Sequence, residues 1–116
     1  MAYLSETDLA DEIFDELQTE LHNEPLYNPD VLALKVKDSI RELKRRRAYV
    51  NSGWTDDRIL ADMVDHYSII KQYALILYNR MGSEGELVHY ENTVHRSYMY
   101  DDDVFSNVIP FVKVLG

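Results

Sequence analysis

Between Thr7 and His22 an apolar side chain returns every fourth residue, at Leu9, Ile13, Leu17 and Leu21, with Phe14 beside them and acidic residues over much of the remainder. That spacing places one apolar stripe on an otherwise acidic helix. Ser5 and Thr7 are its candidate N-caps, Asp8, Asp11 and Glu12 suit the positive helix end, and Asn23-Glu24-Pro25 ends it because proline disfavours helix in the residue before it. A second helix opens at Asn28-Pro29-Asp30, where Asn28 can cap and Pro29 fits the first helical position. Its core side is Leu32, Val36, Ile40 and Leu43, with Ala33 and Ala48 adjoining. After a turn at Asn51-Ser52-Gly53, Thr55, Asp56 and Asp57 open a third helix predicted to run unbroken to Met81, where Gly82 stops it. It would be about 40 Å long at about 1.5 Å per residue. Its first half is amphipathic through Ile59, Met63, Tyr67 and Ile70, whereas Tyr73 to Tyr78 is apolar on nearly all sides. Such a segment must be surrounded, by its own bundle or by neighbouring subunits.

Beyond Gly82 the period changes. Gly82-Ser83-Glu84-Gly85-Glu86 reads as a turn whose glycines, Gly82 and Gly85, act as a hinge. From Leu87 to Tyr100 the pattern approaches alternation, with Val88, Tyr90, Asn92, Val94, Arg96, Tyr98 and Tyr100 on one side. This is a strand or hairpin pattern with Glu91-Asn92-Thr93 as its turn. A lone hairpin is marginal in water, so the arm is expected to pair with something else, such as its equivalent in another subunit. Asp101-Asp102-Asp103 then caps a short helical turn from Val104 to Val108, and Pro110 precedes an apolar tail, Phe111 to Leu115, broken by Lys113. The expected fold is mainly α. It is one domain over 1–116, with three long helices over 1–81, an extended β-hairpin-like arm over 82–103, and a short helix and tail over 104–116.

Composition bounds what this architecture can do. At 116 residues, 46% apolar and 28% charged, the chain has the make-up of one globular domain. It has no cysteine, hence no disulfide, thiol nucleophile or thiolate metal site. No run approaches a membrane span, and the acidic N-terminus is unlike a signal peptide, so the expectation is a soluble chain made in the cytoplasm, without membrane contact. The net charge of -9 is unevenly placed. Residues 1–30 carry nine acids and no base, whereas residues 31–50 carry seven bases and two acids. Opposite patches can steer copies together, which nominates Asp11 and Asp15 on the acidic helix and Lys44, Arg45, Arg46 and Arg47 on the basic one as a subunit interface. The alternative is two solvated helix faces packed side by side in one monomer.

No catalytic constellation emerges. Asp62 and His66, four apart, could share a proton or a metal, but two groups fall short of a usual zinc site, and His22, His89 and His95 add no recognisable spacing. Gly82-Ser83-Glu84-Gly85 matches a GxxG clamp only superficially, since the glutamates in and beside it would repel phosphate. No enzyme, cofactor, metal or small-molecule substrate is therefore expected. The Lys44–Arg47 run is the strongest nucleic-acid signal, set against the acidity of the whole. Nine tyrosines, three of them in the arm at Tyr90, Tyr98 and Tyr100, suit a protein interface.

The stretch Tyr78-Asn79-Arg80-Met81-Gly82-Ser83-Glu84-Gly85-Glu86, followed by His89-Tyr90-Glu91-Asn92, Arg96-Ser97-Tyr98 and Ile109-Pro110-Phe111, resembles the head-tail connector (head completion, or adaptor) proteins of tailed bacteriophages and prophages. The resemblance covers roughly residues 30 to 115. Thr93-Val94 stand where such proteins often have glycine after the Glu-Asn pair. The resemblance implies a structural, non-enzymatic helical subunit with a long extended loop, assembling into a homo-oligomeric ring, commonly of twelve copies, at the head-tail junction of the virion. Such a ring bridges the portal protein to the next connector or tail component after DNA packaging, close to the DNA channel, and assembles in the host cytoplasm. The hinge and arm then become the elements that engage the portal or a neighbour. The runner-up is a small helical nucleic-acid-binding or regulatory protein that uses the basic helix over 35–47.

Overall fold

The computed structural model describes residues 5–81 and 103–112. The described residues form four α-helices and one short 3-10 turn: α1 (Glu6–Leu21), α2 (Pro29–Arg47), the turn Tyr49–Asn51, α3 (Asp56–Asp65) and α4 (Tyr67–Met81). The helix starts follow from their caps. Ser5 Oγ accepts from the Asp8 N–H at 3.2 Å, Asn28 Oδ1 from Asp30 and Val31 at 3.1 and 3.2 Å, and Thr55 Oγ1 from Arg58 at 3.4 Å. Each satisfies donors that the helix itself leaves without a partner. α2 ends on Ala48 in the left-handed region, at φ 56°, with the Ala48 N–H bonded to the Lys44 carbonyl at 3.0 Å.

α2 is the central helix, packed chiefly on α4, with α1 lying against both. The predicted stripes face inward: Leu9, Ile13, Leu17 and Leu21 of α1 meet Leu32, Val36, Ile40 and Leu43 of α2, all buried. Each such side chain contributes about 1.5–3 kcal/mol on leaving water. Met63, Ile70, Tyr73, Ala74 and Tyr78 add to the core from α3 and α4, and Phe105 and Val108 enter it from the described segment 103–112. Ser39 is fully buried where α2 meets α4, and its hydroxyl donates to the Ile70 carbonyl at 2.7 Å, satisfying the one group that would otherwise be costly there. Across the α1–α4 seam, Tyr67 Oη donates to Glu16 at 2.7 Å and Lys71 Nζ lies 3.5 Å from Glu16 and 3.6 Å from Glu20. The Tyr67 hydroxyl, and after it Lys71, holds the Glu16 carboxyl below the usual carboxylate range.

One expectation is corrected. The third helix does not run unbroken from 55 to 81 but divides at His66, whose backbone (φ -103°, ψ 21°) leaves the helical region. His66 Nδ1 lies 2.7 Å from the Asp62 carbonyl, the acceptor that the His66 backbone N–H would use in a continuous helix, while that N–H turns to Met63 at 3.0 Å. A side chain inserted into the backbone ladder is a recognised cause of a sharp kink. The bundle thus has four helices where three long ones were expected. The proposed arm over 82–103, its alternating residues and its glycine hinge lie outside the described residues except for Asp103. Asp103 and Val104 are helical and Phe105–Asn107 form a turn, with Ser106 N–H bonded to Asp103 and Val108 N–H to Phe105.

Candidate interaction surface

A helix turns about 100° per residue, so four consecutive basic residues cannot form one patch. The run 44–47 accordingly separates into different environments. Lys44 crosses to α1 and pairs with Glu6 at 2.7 Å. Arg45 points outward, its side chain 68% exposed, and pairs with Glu42 one turn back. Arg46 Nε also reaches Glu42, at 2.8 Å, and its guanidinium lies 4.6 Å above the Phe105 ring. The Arg45 guanidinium first, and then Arg46, lowers the Glu42 carboxyl pKa against the opposing effect of burial.

Arg47 has the most enclosed position. Its guanidinium makes two bonds to Asp62, at 2.9 and 3.2 Å, donates to the Ile109 carbonyl, and lies 4.2 Å from the centre of the Phe111 ring. Its side chain is 18% exposed and that of Asp62 12%. Tyr49 Oη donates to the same carboxylate at 2.6 Å. Burial raises the Asp62 pKa, but the Arg47 and Tyr49 bonds outweigh it and leave the carboxyl below its ordinary range. Burial, together with the bond to Asp62, pushes the Tyr49 phenol well above its usual pKa. Asp62 is thus committed to Arg47 and Tyr49, and His66 Nδ1 is 3.6 Å from it. Among the described residues no group of three or more His, Asp or Glu is placed to hold a metal ion.

This node clasps the last described segment. The Phe111 N–H bonds to the Arg47 carbonyl at 2.9 Å, and Asn51 Nδ2 donates to the Phe111 carbonyl at 3.1 Å. The Phe111 ring meets Trp54 edge-on at 4.6 Å, as Phe105 meets Tyr73 at 4.8 Å. Phe105, Val108 and Phe111, spaced by three, anchor the segment on the bundle. The spacing of three is visible in the sequence, but the surface it meets is set only by the fold.

Of the basic residues on α2, the exposed ones form a row spaced by four, Lys37, Arg41 and Arg45. Arg41 and Arg45 each have an acid of the same helix within reach, Asp38 and Glu42. On α1, Asp11 and Asp15 are both exposed. Asp11, Lys37 and Arg41 share the lining of a shallow groove of about 310 Å³ between the two helices. The candidate interface residues are therefore divided: Asp11, Asp15 and Arg45 face solvent, Lys44 is half-buried against Glu6, and Arg46 and Arg47 are engaged inside the subunit. No helix among the described residues is long and apolar enough to cross a membrane. Comparison with protein-family models, with curated proteins and with solved structures finds no match for this chain.

Proposed function

We propose that this chain is a structural head-tail connector subunit of a tailed bacteriophage or prophage, which assembles as a homo-oligomeric ring and joins the portal to the next connector or tail component. The observation that carries the reading is the ordered set of elements in the sequence: Tyr78-Asn79-Arg80-Met81-Gly82, Gly85, Glu91-Asn92, Arg96-Ser97-Tyr98 and Ile109-Pro110-Phe111. In this reading residues 82–103 form the extended arm, hinged at Gly82 and Gly85, and the short helix over 104–108 returns the chain to the bundle. Docking of Phe105 and Phe111 on the bundle supports it, because a segment pinned after the arm gives the arm a fixed base.

Ring contacts need two different patches on each subunit. Asp11, Lys37 and Arg41 line one groove, whereas the exposed Asp15 on α1 and Arg45 on α2 lie outside that lining and supply opposite charges on separate helices. Arg46 and Arg47 are poor probes of that contact, since reversing them disturbs the fold. The test is the triple reversal Lys37→Glu, Arg41→Glu and Arg45→Glu, with helicity checked by circular dichroism. Ring formation on portals should weaken while the monomer stays folded; undiminished rings would reject this charge pairing.

A nucleic-acid reading draws on the same row, whose cations recur about 6 Å apart along the helix at about 1.5 Å per residue. Asp38 and Glu42 interleave with it and lower its attraction for phosphate. A salt titration separates the two, because phosphate binding falls steeply with salt.

A further inference from the structure

We propose that Asp62 couples the break between α3 and α4 to the docking of residues 103–112, so that bend and docked segment are made and lost together as one two-state element. Asp62 serves both ends of this coupling. Its backbone carbonyl accepts from His66 Nδ1 at 2.7 Å, while its carboxylate accepts from Arg47 at 2.9 and 3.2 Å and from the Tyr49 hydroxyl at 2.6 Å. A carbonyl can only accept, so Nδ1 is the ring nitrogen that carries the proton. Arg47 in turn holds the segment, through the Ile109 carbonyl, the Phe111 N–H and the face of the Phe111 ring. A chain of contacts therefore runs from His66 through Asp62 and Arg47 to Phe111.

The break itself is confined to one residue. α3 ends at Asp65 and α4 begins at Tyr67, and His66 between them stands at φ -103° and ψ 21°. The Ile70 N–H already bonds to the His66 carbonyl at 3.1 Å, as it would in a continuous helix. If the Asp62 carbonyl returns to the His66 N–H, residues 56–81 become one helix about 39 Å long at about 1.5 Å per residue. A change of dihedral angles at an element terminus is how a hinge works, and this one would swing α3 and draw Asp62 away from Arg47. α3 is lightly held against such a swing: Met63 is buried, but Ile59, Leu60 and Val64 are half-buried. His66 is thus a positioning residue, which sets the direction of α3 so that Asp62 meets Arg47. The inference concerns the single subunit and stands apart from the connector reading.

Amide hydrogen exchange of the full chain, followed residue by residue by NMR, tests this. The Phe111 N–H reports docking of the segment, and the Ile40 N–H, in the buried part of α2, reports the stability of the bundle. His66→Leu removes the donor and should speed exchange at Phe111 at least tenfold while Ile40 stays within twofold. His66→Asn, whose Nδ2 stands as many bonds from the backbone as Nδ1 of histidine, should restore protection at Phe111. Coupling is reciprocal, so Phe111→Ala should move the His66 Cα chemical shift to its helical value. If His66→Leu does not fold, the His66→Asn and Phe111→Ala measurements decide. Unchanged protection of Phe111 in His66→Leu would overturn the proposal, as would equal acceleration at Phe111 and Ile40, which marks a general loss of stability. Loss of Phe111 protection in His66→Asn, or an unmoved His66 shift in Phe111→Ala, would overturn it equally.

Discussion

Replacing Arg47 by alanine should cost far more than replacing Arg45, although the two stand two residues apart in one basic run. Arg47→Ala removes a two-bond ion pair whose partners are 18% and 12% exposed, a bond to the Ile109 carbonyl and the stack on Phe111. Deleting one member of a buried pair costs about 3–5 kcal/mol, mainly because the other charge is left without its partner. Here the Tyr49 hydroxyl still donates to Asp62 and some water reaches it, which puts the loss near the lower end, about 3 kcal/mol. At about 4 °C per kcal/mol for a domain of this size, Tm falls by about 12 °C. Arg45→Ala removes one exposed pair and should cost less than about 1 kcal/mol. Urea unfolding followed by circular dichroism gives both values, and Trp54, the only tryptophan and in edge contact with Phe111, reports release of the tail by its fluorescence. A double-mutant cycle with Asp62→Ala should return a coupling of at least about 1 kcal/mol. If Arg47→Ala and Arg45→Ala unfold at the same urea concentration, the clasp is not what holds this end of the bundle.

Ala48→Gly should raise stability by about 0.5–1 kcal/mol, since Ala48 holds a left-handed conformation that glycine adopts freely; an unchanged or lower urea midpoint would count against strain there. Tyr49→Phe should cost about 1–2 kcal/mol through the lost bond to Asp62, again read from the urea midpoint, and a neutral effect would show that the hydroxyl is dispensable. Asp62 has a lowered pKa in the folded chain, so its contribution is complete above its unfolded value of 3.8 and is lost as pH falls through the lower folded value. Asp62→Asn should therefore be less stable than wild type at pH 7 and approach it below pH 3.8; a gap independent of pH would refute this assignment. If the connector proposal holds, deleting residues 88–100 should leave the helical circular dichroism signal and abolish joining to portals, and retained joining would reject a portal-engaging role for these residues.

The two N-terminal helices were legible because each carries its own instructions. A cap and a period of four suffice to define Ser5 with Leu9 to Leu21 and Asn28 with Leu32 to Leu43, and both match the observed bounds within a residue or two. The break at His66 was not legible, because the apolar positions Met63, Ile70, Tyr73 and Ala74 keep facing the core on both sides of it. The cause is a single side chain taking one backbone acceptor, which leaves no trace in periodicity. The basic run misled for a different reason. Four adjacent cations look like a patch in one dimension, yet the helix sends them to Glu6, to solvent, to Phe105 and to Asp62 in turn. The partners of Arg47 come from two separate stretches of chain, and only the fold brings Asp62 to the same place as Ile109 and Phe111.

One image tests the connector proposal most directly: electron microscopy of the purified chain mixed with a candidate portal protein from the same genome. A connector subunit gives a ring of density seated on the portal and coaxial with its channel, lost when residues 88–100 are deleted. Bare portals, with the chain remaining monomeric at saturating concentration, would contradict it.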